Sequence, residues 1–339
     1  MSDEVKQNDL LRLAQDVLKE YSIKTDSISV IQDANIKTVW KLTSGKETLC
    51  LKRLKQSYDK ALFSVNAQHY VKSLGGNVPG IIKDKNNKLI VNHNDQLFVV
   101  YEWIKGKDID LDNPNDLKES IQGLAKFHTF TKGYKAPAEA RISTKLGKWP
   151  EQYESMKTKL SEWDEISKQK SNSCYQTYTR YAVDMVDIAD RAIEYLKSSS
   201  YDSLTNENSD APVLCHQDYG KGNAVLTDFG VHVIDLDGVT FDHPSRDLRK
   251  IIGKRCENKG SWDKDIIDNI TKWYSEVNPL TSDERKLLFI DLLYPHWFFG
   301  LVKNIFKNNK LENSSKIERI AKLEKSKVAL LESLIKRGG

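Results

Sequence analysis

Apolar and polar positions alternate in two different rhythms along this chain. Residues 5–22 repeat apolar side chains at helical spacing, with Leu10, Leu13, Ala14, Val17 and Tyr21 along one face. Short runs with strand character follow at Ser27–Ile31, Thr38–Leu42 and Thr48–Arg53, and then a helical stretch over 58–74 that Gly75-Gly76 would stop. Lys88–Asn92 and Gln96–Tyr101 read as two further strands. In the second, Leu97-Phe98-Val99-Val100-Tyr101 is nearly all apolar, as expected of a strand covered on both faces. This pattern predicts a small lobe of about five strands and two helices.

Glu102–Gly106 breaks the pattern and would join two lobes. Beyond it the helical rhythm dominates. Asn115 precedes a helix with Leu117, Ile121, Leu124 and His128 on one face, and residues 151–197 are long, polar and helical. Ser198–Pro212, rich in Ser, Asn and Asp, reads as a surface loop. Two short apolar runs, Val213-Leu214-Cys215 and Val231-His232-Val233-Ile234, bracket a polar segment. The remainder is helical and ends in a charged helix from about Ser315 to Lys336. No internal repeat of solenoid length is present.

Composition changes the picture mainly by exclusion. The 339 residues are 39% hydrophobic and 29% charged, which is globular and long enough for two lobes with a core each. The net charge of +4 arises from 52 basic and 48 acidic residues that are well mixed, so nucleic acid is not an expected partner. Lysines from Lys303 to Lys310 read as a solvated helix face rather than a polyanion site. No N-terminal stretch combines a basic start with an apolar run, and no run reaches about 18 apolar residues, so neither a secretory signal nor a membrane span is expected. Cys50, Cys174, Cys215 and Cys256 form no Cys-x-x-Cys pair, which fits a reduced compartment and argues against a zinc site.

The polar segment carries the candidate chemistry: His216-Gln217-Asp218-Tyr219-Gly220-Lys221-Gly222-Asn223. Phosphoryl transfer needs a carboxylate near the attacking hydroxyl, oxygen ligands for Mg²⁺ and a cation on the phosphates. A hairpin-like return after Asn223 would bring it beside Asp235, and hard oxygen ligands of this kind suit Mg²⁺. Val213-Leu214-Cys215 before the motif, Ala224-Val225-Leu226 after it, Val233-Ile234-Asp235-Leu236-Asp237 at hairpin distance and Asp242-His243-Pro244-Ser245-Arg246-Asp247-Leu248 beyond complete the pattern.

These residues resemble the Brenner-type motif of the aminoglycoside phosphotransferase and choline kinase superfamily, over nearly the whole chain. Within it, the chain looks most like the spore coat CotS family of endospore-forming bacteria. The segments that carry this are Cys50-Leu51-Lys52-Arg53, Ala61-Leu62-Phe63-Ser64, Asn77-Val78-Pro79-Gly80-Ile81, Phe98 through Gly106, Thr144 through Pro150, Leu214 through Gly220 and Asp247-Leu248-Arg249-Lys250. The resemblance implies an α+β, two-lobed protein-kinase-like fold, with a small antiparallel-sheet N-lobe over 1–103 and a larger, mostly helical C-lobe over 104–339. It implies ATP and Mg²⁺ as cofactors. Asp218 would orient or deprotonate an acceptor hydroxyl, and Asn223 and Asp235 would hold Mg²⁺. Lys52 would pair with the phosphates, and Glu102, Trp103 and Ile104 would meet adenine at the hinge. His216 would brace the loop and Asp247 would anchor structure below it.

The implied function is an ATP-dependent phosphotransferase with an unidentified hydroxyl acceptor. It would be made in the cytoplasm of a sporulating bacterium and associated with the spore coat and its other proteins. Two alternatives stand beside it: a pseudokinase-like coat component, and a metabolic kinase of the choline, aminoglycoside or homoserine type.

Other residues have plainer readings. His128 reads as a core histidine. Trp149, Trp262 and Trp297 read as helix-packing residues before an aromatic wall for a quaternary ammonium. Asp237 and Asp242 either face a cationic substrate or are solvated loop acids. Two departures from the superfamily pattern bear on catalysis. The expected phosphate-covering loop, Ile31 through Thr38, has no glycine, and a Cβ on every residue hinders approach to phosphates. The helix over 58–74 has no glutamate for Lys52, leaving Asn66 and Gln68 as candidates, so Lys52 is expected to be loose until ATP orders it.

Overall fold

A computed structural model describes residues 3–34, 37–206 and 208–337. The chain forms two compact units, Met1–Ser143 with His216–Thr240, and Thr144–Cys215 with Phe241–Gly339.

The first unit begins with α1 (Asp3–Leu18) and the antiparallel strands β1 (Ser27–Ala34), β2 (Lys37–Ser44) and β3 (Glu47–Leu54), followed by α2 (Tyr58–Ser73). Then come β4 (Ile81–Ile82), β5 (Val91–His93), β6 (Gln96–Glu102), β7 (Lys107–Asp108) and α3 (Pro114–Thr131). The main sheet runs β1-β2-β3-β6-β4, with β5 also paired to β6.

Alternation sorts its side chains. Leu49 and Leu51 of β3 and Phe98 and Val100 of β6 join Ala14, Val17 and Leu18 of α1 in one core. Leu54, Leu97, Val99 and Tyr101 join Ala61 and Val65 of α2 in another. The continuous apolar run of β6 is therefore buried on both faces, as its pattern predicts. Lys52 alternates with Leu49 and Leu51, and so shares a face with Cys50 and Leu54.

The cap of α3 differs from expectation. Asn113, not Asn115, accepts hydrogen bonds from the backbone N–H groups of Asn115 and Asp116, because Pro114 takes the first helical position, where a missing N–H costs nothing.

In the second unit the expected 151–197 helix is two: α4 (Trp149–Lys168) and α5 (Ser173–Lys197), with Asn172 capping the second. The expected surface loop over 198–212 contains α6 (Tyr201–Thr205). Tyr201 is buried there, stacked on Trp149 at 5.2 Å, with its hydroxyl accepting from the Trp149 N–H. After β8 (Val213–Cys215) the chain adds β9 (Ala224–Thr227) and β10 (Gly230–Val233) to the first unit, where β9 lies between β10 and β7. Gly123 of α3 lets that helix approach β10, since a Cβ there would sit 2.6 Å from that of Val231.

The chain then continues through β11 (Thr240–Asp242), α7 (Ser245–Lys259), α8 (Lys264–Ser275), α9 (Ser282–Leu293), α10 (His296–Asn308), α11 (Ser314–Ser326) and α12 (Val328–Lys336). The expected terminal helix is thus broken at Lys327, whose buried ammonium pairs with Glu324 and donates to the Tyr294 carbonyl at 3.0 Å. Lys303, Lys307 and Lys310 are solvent-exposed, as read from the sequence. No described helix is long and apolar enough to cross a membrane.

Candidate active site

The site is built around the β9–β10 hairpin of the first unit. Ala224 pairs with Val233, and the Ile234 N–H donates to the Asn223 carbonyl at 3.0 Å, so Asn223 and the approach to Asp235 run side by side. This is the return that the spacing of the two residues predicts.

His216 ties the polar loop to this hairpin. Its buried ring donates from Nε2 to the Ile234 carbonyl at 2.9 Å and accepts the Asp218 N–H on Nδ1 at 3.2 Å, which sets the tautomer. The Tyr219 hydroxyl donates to the Ser120 carbonyl at 2.7 Å, fixing the same loop to α3. Asp218 is exposed; the Asn223 amide nitrogen donates to the Asp218 backbone carbonyl at 2.8 Å and to one carboxylate oxygen, Oδ2, at 3.3 Å.

Asp235 adopts a left-handed backbone conformation, φ 62° and ψ 58°, which short polar side chains tolerate better than most. Its carboxylate takes two ammonium groups: Lys52 on Oδ1 and Lys37 on Oδ2, each at 2.7 Å. Lys52 is also paired with Asp237 at 2.7 Å, and its side chain is only 8% exposed. The Gln217 side chain donates to the Gly238 carbonyl at 2.9 Å, and that of Gln56 to the Asp237 carbonyl, so the turn bearing both acids is pinned.

Burial alone would raise the Asp235 pKa. The charges and hydrogen bonds of Lys52 and Lys37 outweigh it and hold the carboxyl well below the usual range. Burial likewise pulls on Lys52, but Asp237 and Asp235 keep it above an ordinary lysine. Two ammonium groups and two carboxylates leave the cluster neutral.

The loose Lys52 expected from the sequence is therefore incorrect. Asp235 and Asp237 hold it, while the amides proposed as its partners are used elsewhere. Gln68 donates to the Pro79 carbonyl at 2.7 Å and Asn66 to the Leu62 carbonyl at 2.7 Å. Asp237 also matches neither of its expected readings, since its partner is an internal lysine. Two residues of the glycine-free loop, Asn35 and Ile36, lie outside the described residues.

Three members of this cluster, Lys37, Lys52 and Asp235, line a cavity of about 360 Å³ within the first unit. Ile31, Val39, Tyr101, Ile234 and Leu236 contribute apolar lining, and Glu102, Trp103, Ile104 and Asn223 also face it. Asp218 is not among the lining residues and reaches the cavity only through its hydrogen bonds to Asn223.

Glu102 and Trp103 are firmly set. The Trp103 N–H donates to the Thr48 carbonyl at 3.1 Å, and the Glu102 carboxylate takes the Gly80 N–H and Lys72, each at 2.8 Å. Burial opposes ionisation of Glu102, but Lys72 and the Gly80 N–H outweigh it and lower its pKa. A Cβ on Gly80 would meet the Glu102 carboxylate at 2.7 Å, so a larger residue there would make that side chain shift.

A family model described as "Spore coat putative kinase YutH" matches residues 14–334. This chain belongs to that spore coat family. Spore coat protein S of Bacillus subtilis is 23% identical over 329 residues, covering 95% of this chain and 94% of the relative. The endospore coat-associated protein YutH of the same organism is 22% identical over 194 residues, covering 56% of this chain and 55% of the relative.

Among solved structures, an aminoglycoside phosphotransferase from Alicyclobacillus acidocaldarius matches with TM-score 0.76 at 15% identity, over 96% of each chain. An amicoumacin kinase solved with AMP-PNP and Ca²⁺ matches with TM-score 0.61 at 17% identity, also over 96% of each chain. The α+β fold is thus kinase-like, with an antiparallel-sheet N-terminal region and a helical C-terminal region.

The remaining sequence candidates lie in the structural fabric. His128 is fully buried on α3. In the second unit Asp247 is buried in the first turn of α7, where the helix dipole favours an acid. Asp242, read as a substrate-facing or solvated acid, is instead buried. It accepts from the Trp149 indole at 2.9 Å and lies 3.3 Å from Arg246, and burial still raises its pKa to about 6. Trp149 is buried and Trp262 packs edge-on against Trp297, as helix-packing residues do.

Lys37 was missed in the sequence. Two-residue alternation from Lys37 to Val39, which pairs with Lys52 across the sheet, puts all three on one face and was the signal available.

Proposed function

We propose that this protein is an ATP-dependent phosphotransferase of the spore coat, acting on an alcohol acceptor. The observation that carries the proposal is the cavity itself, lined by apolar side chains and by Glu102, Trp103 and Ile104, with Lys52, Asn223 and Asp235 lining it as well. A purine fits such walls, and the phosphates belong with the lysine.

In this reading Glu102, Trp103 and Ile104 meet adenine, Lys52 binds phosphate oxygens, and the Asn223 amide oxygen and Asp235 carboxylate are the ligands for Mg²⁺. The fit of Asp235 to that role rests on its behaviour here, where it already seats two cations. When bound, Mg²⁺ would neutralise charge on the phosphates. Asp218 orients or deprotonates the acceptor hydroxyl, and Asn223 holds its carboxylate at one oxygen. The two lobes of this reading are 1–103 and 104–339. Family membership supports a place in the coat, with other coat proteins as partners.

The test is ATP turnover against a panel of amino alcohols, aminoglycosides and coat proteins, with Asp218→Asn beside the parent. Asp218→Asn should keep the fold and nucleotide binding and lose roughly two to four decades of turnover. Full activity in the variant would remove the role.

One observation favours a second reading, in which the fold serves coat assembly without turnover. Both Asp235 oxygens are already paired with lysine, and α2 supplies no carboxylate to Lys52. Nucleotide binding with no turnover on any acceptor would select that reading.

A further inference from the structure

We propose that Lys37 is a tethered counter-cation that occupies Asp235 until a divalent metal displaces it, so that it sets how much metal the site requires. The inference rests on the reading of Asp235 as a metal ligand and extends it to a residue outside that reading.

The two lysines on Asp235 are not equivalent. Lys52 is 8% exposed and has Asp237 as a second carboxylate, so it stays paired if Asp235 turns to another cation. Lys37 is 29% exposed, and among the described residues Asp235 is its one carboxylate partner. It extends from the first residue of β2 on a flexible four-carbon stem. Of the two, Lys37 is the one that can leave.

Charge requires it to leave. The cluster of Lys37, Lys52, Asp235 and Asp237 is neutral as it stands. A dication added to Asp235 with Lys37 still in contact would put excess positive charge within a few ångströms, where repulsion is little screened. Metal binding therefore competes directly with the Lys37–Asp235 pair. The released ammonium remains in the cavity that Lys37 already lines, where phosphate oxygens would accept it. The device keeps Asp235 in place without metal and disfavours metal alone relative to metal together with nucleotide.

Mn²⁺ alone, titrated into the full chain without nucleotide and followed by the electron paramagnetic resonance signal of free ion, tests this. Lys37→Met should bind Mn²⁺ roughly two- to fivefold more tightly than the parent, the range expected for removing a partly exposed competing ion pair. Lys37→Arg, which keeps the charge, should stay near the parent. Asp235→Asn should abolish the site in either background.

Equal or weaker Mn²⁺ binding by Lys37→Met, with the Asp235→Asn loss intact, overturns the role of Lys37 alone. Binding that survives Asp235→Asn, or no binding by the parent and Lys37→Met alike, overturns the metal reading and this inference with it.

Discussion

Each unit of the molecule has an arginine or lysine locked to aspartate, and the two arrangements do different work. In the second unit, Asp291 is fully buried. Its Oδ1 takes Arg249 at 2.6 Å and the Tyr153 hydroxyl, with His296 Nε2 3.0 Å away. That network joins α4, α7, α9 and α10. In the first unit, Asp235 is 30% exposed, lines a cavity, and shares Lys52, but not Lys37, with Asp237. Enclosed charge with a fixed set of partners is costly to disturb and has no route to exchange. Charge at a cavity wall, with one partner already doubled, can trade one cation for another. Burial and connectivity, not the presence of an ion pair, separate a structural network from a candidate site.

Breaking the enclosed network should have the largest effect on stability. Asp291→Ala leaves the Arg249 charge buried without its partner and should cost about 3–5 kcal/mol in a denaturant titration. Lys52→Met should cost stability far less, because Asp235 keeps Lys37 and both acids reach solvent. It should instead weaken ATP binding by roughly ten- to a hundredfold, the range for losing a charge-assisted contact to phosphate. Equal destabilisation by the two substitutions would erase the distinction between the clusters.

His296 is held down to about 3 by burial and by the Arg249 charge. Unfolded histidine titrates near 6.5, so between these values the folded protein binds fewer protons than the unfolded chain. The stability from neutral His296 is complete above about 6.5 and is lost as pH falls toward 3. Asp242 has the opposite sign: raised from 3.8 to about 6, it makes the folded protein bind more protons, and stability falls as pH rises through that interval. His296→Gln should therefore lessen the loss of stability between pH 6.5 and 5 by up to about 2 kcal/mol, measured as urea midpoints. An unchanged slope would show that His296 is not the acid-sensitive group. Smallest of all, Gln68→Ala should leave ATP affinity within about twofold, since its side chain is spent on the Pro79 carbonyl.

The sheet and the hairpin were legible because local pattern encodes them. The all-apolar run 97–101 marks a strand covered on both faces, and the spacing from Asn223 to Asp235 marks a return. The partners of Lys52 were not legible. The acids that hold it lie 183 residues or more along the chain, brought near by a turn that Gln56 and Gln217 pin from different segments. Reasoning from α2 alone led to a free lysine. Asp242 misled for the same reason, since its indole partner lies 93 residues away. Loop composition says that an acid is polar. It does not say whether water or a buried donor satisfies it.

In the proposed function, Lys52, Asn223 and Asp235 receive the phosphates of ATP together with Mg²⁺ at the cavity they line. Isothermal titration of ATP into the parent and Asp235→Ala, each with and without Mg²⁺, tests it most directly, with thermal unfolding as a parallel readout. Mg²⁺ should tighten ATP binding to the parent and not to the variant. The parent should gain about 2.7 kcal/mol of stability at a hundredfold excess of Mg·ATP over its Kd. Equal ATP affinity for the parent with and without Mg²⁺ would mean that Asn223 and Asp235 do not hold the metal.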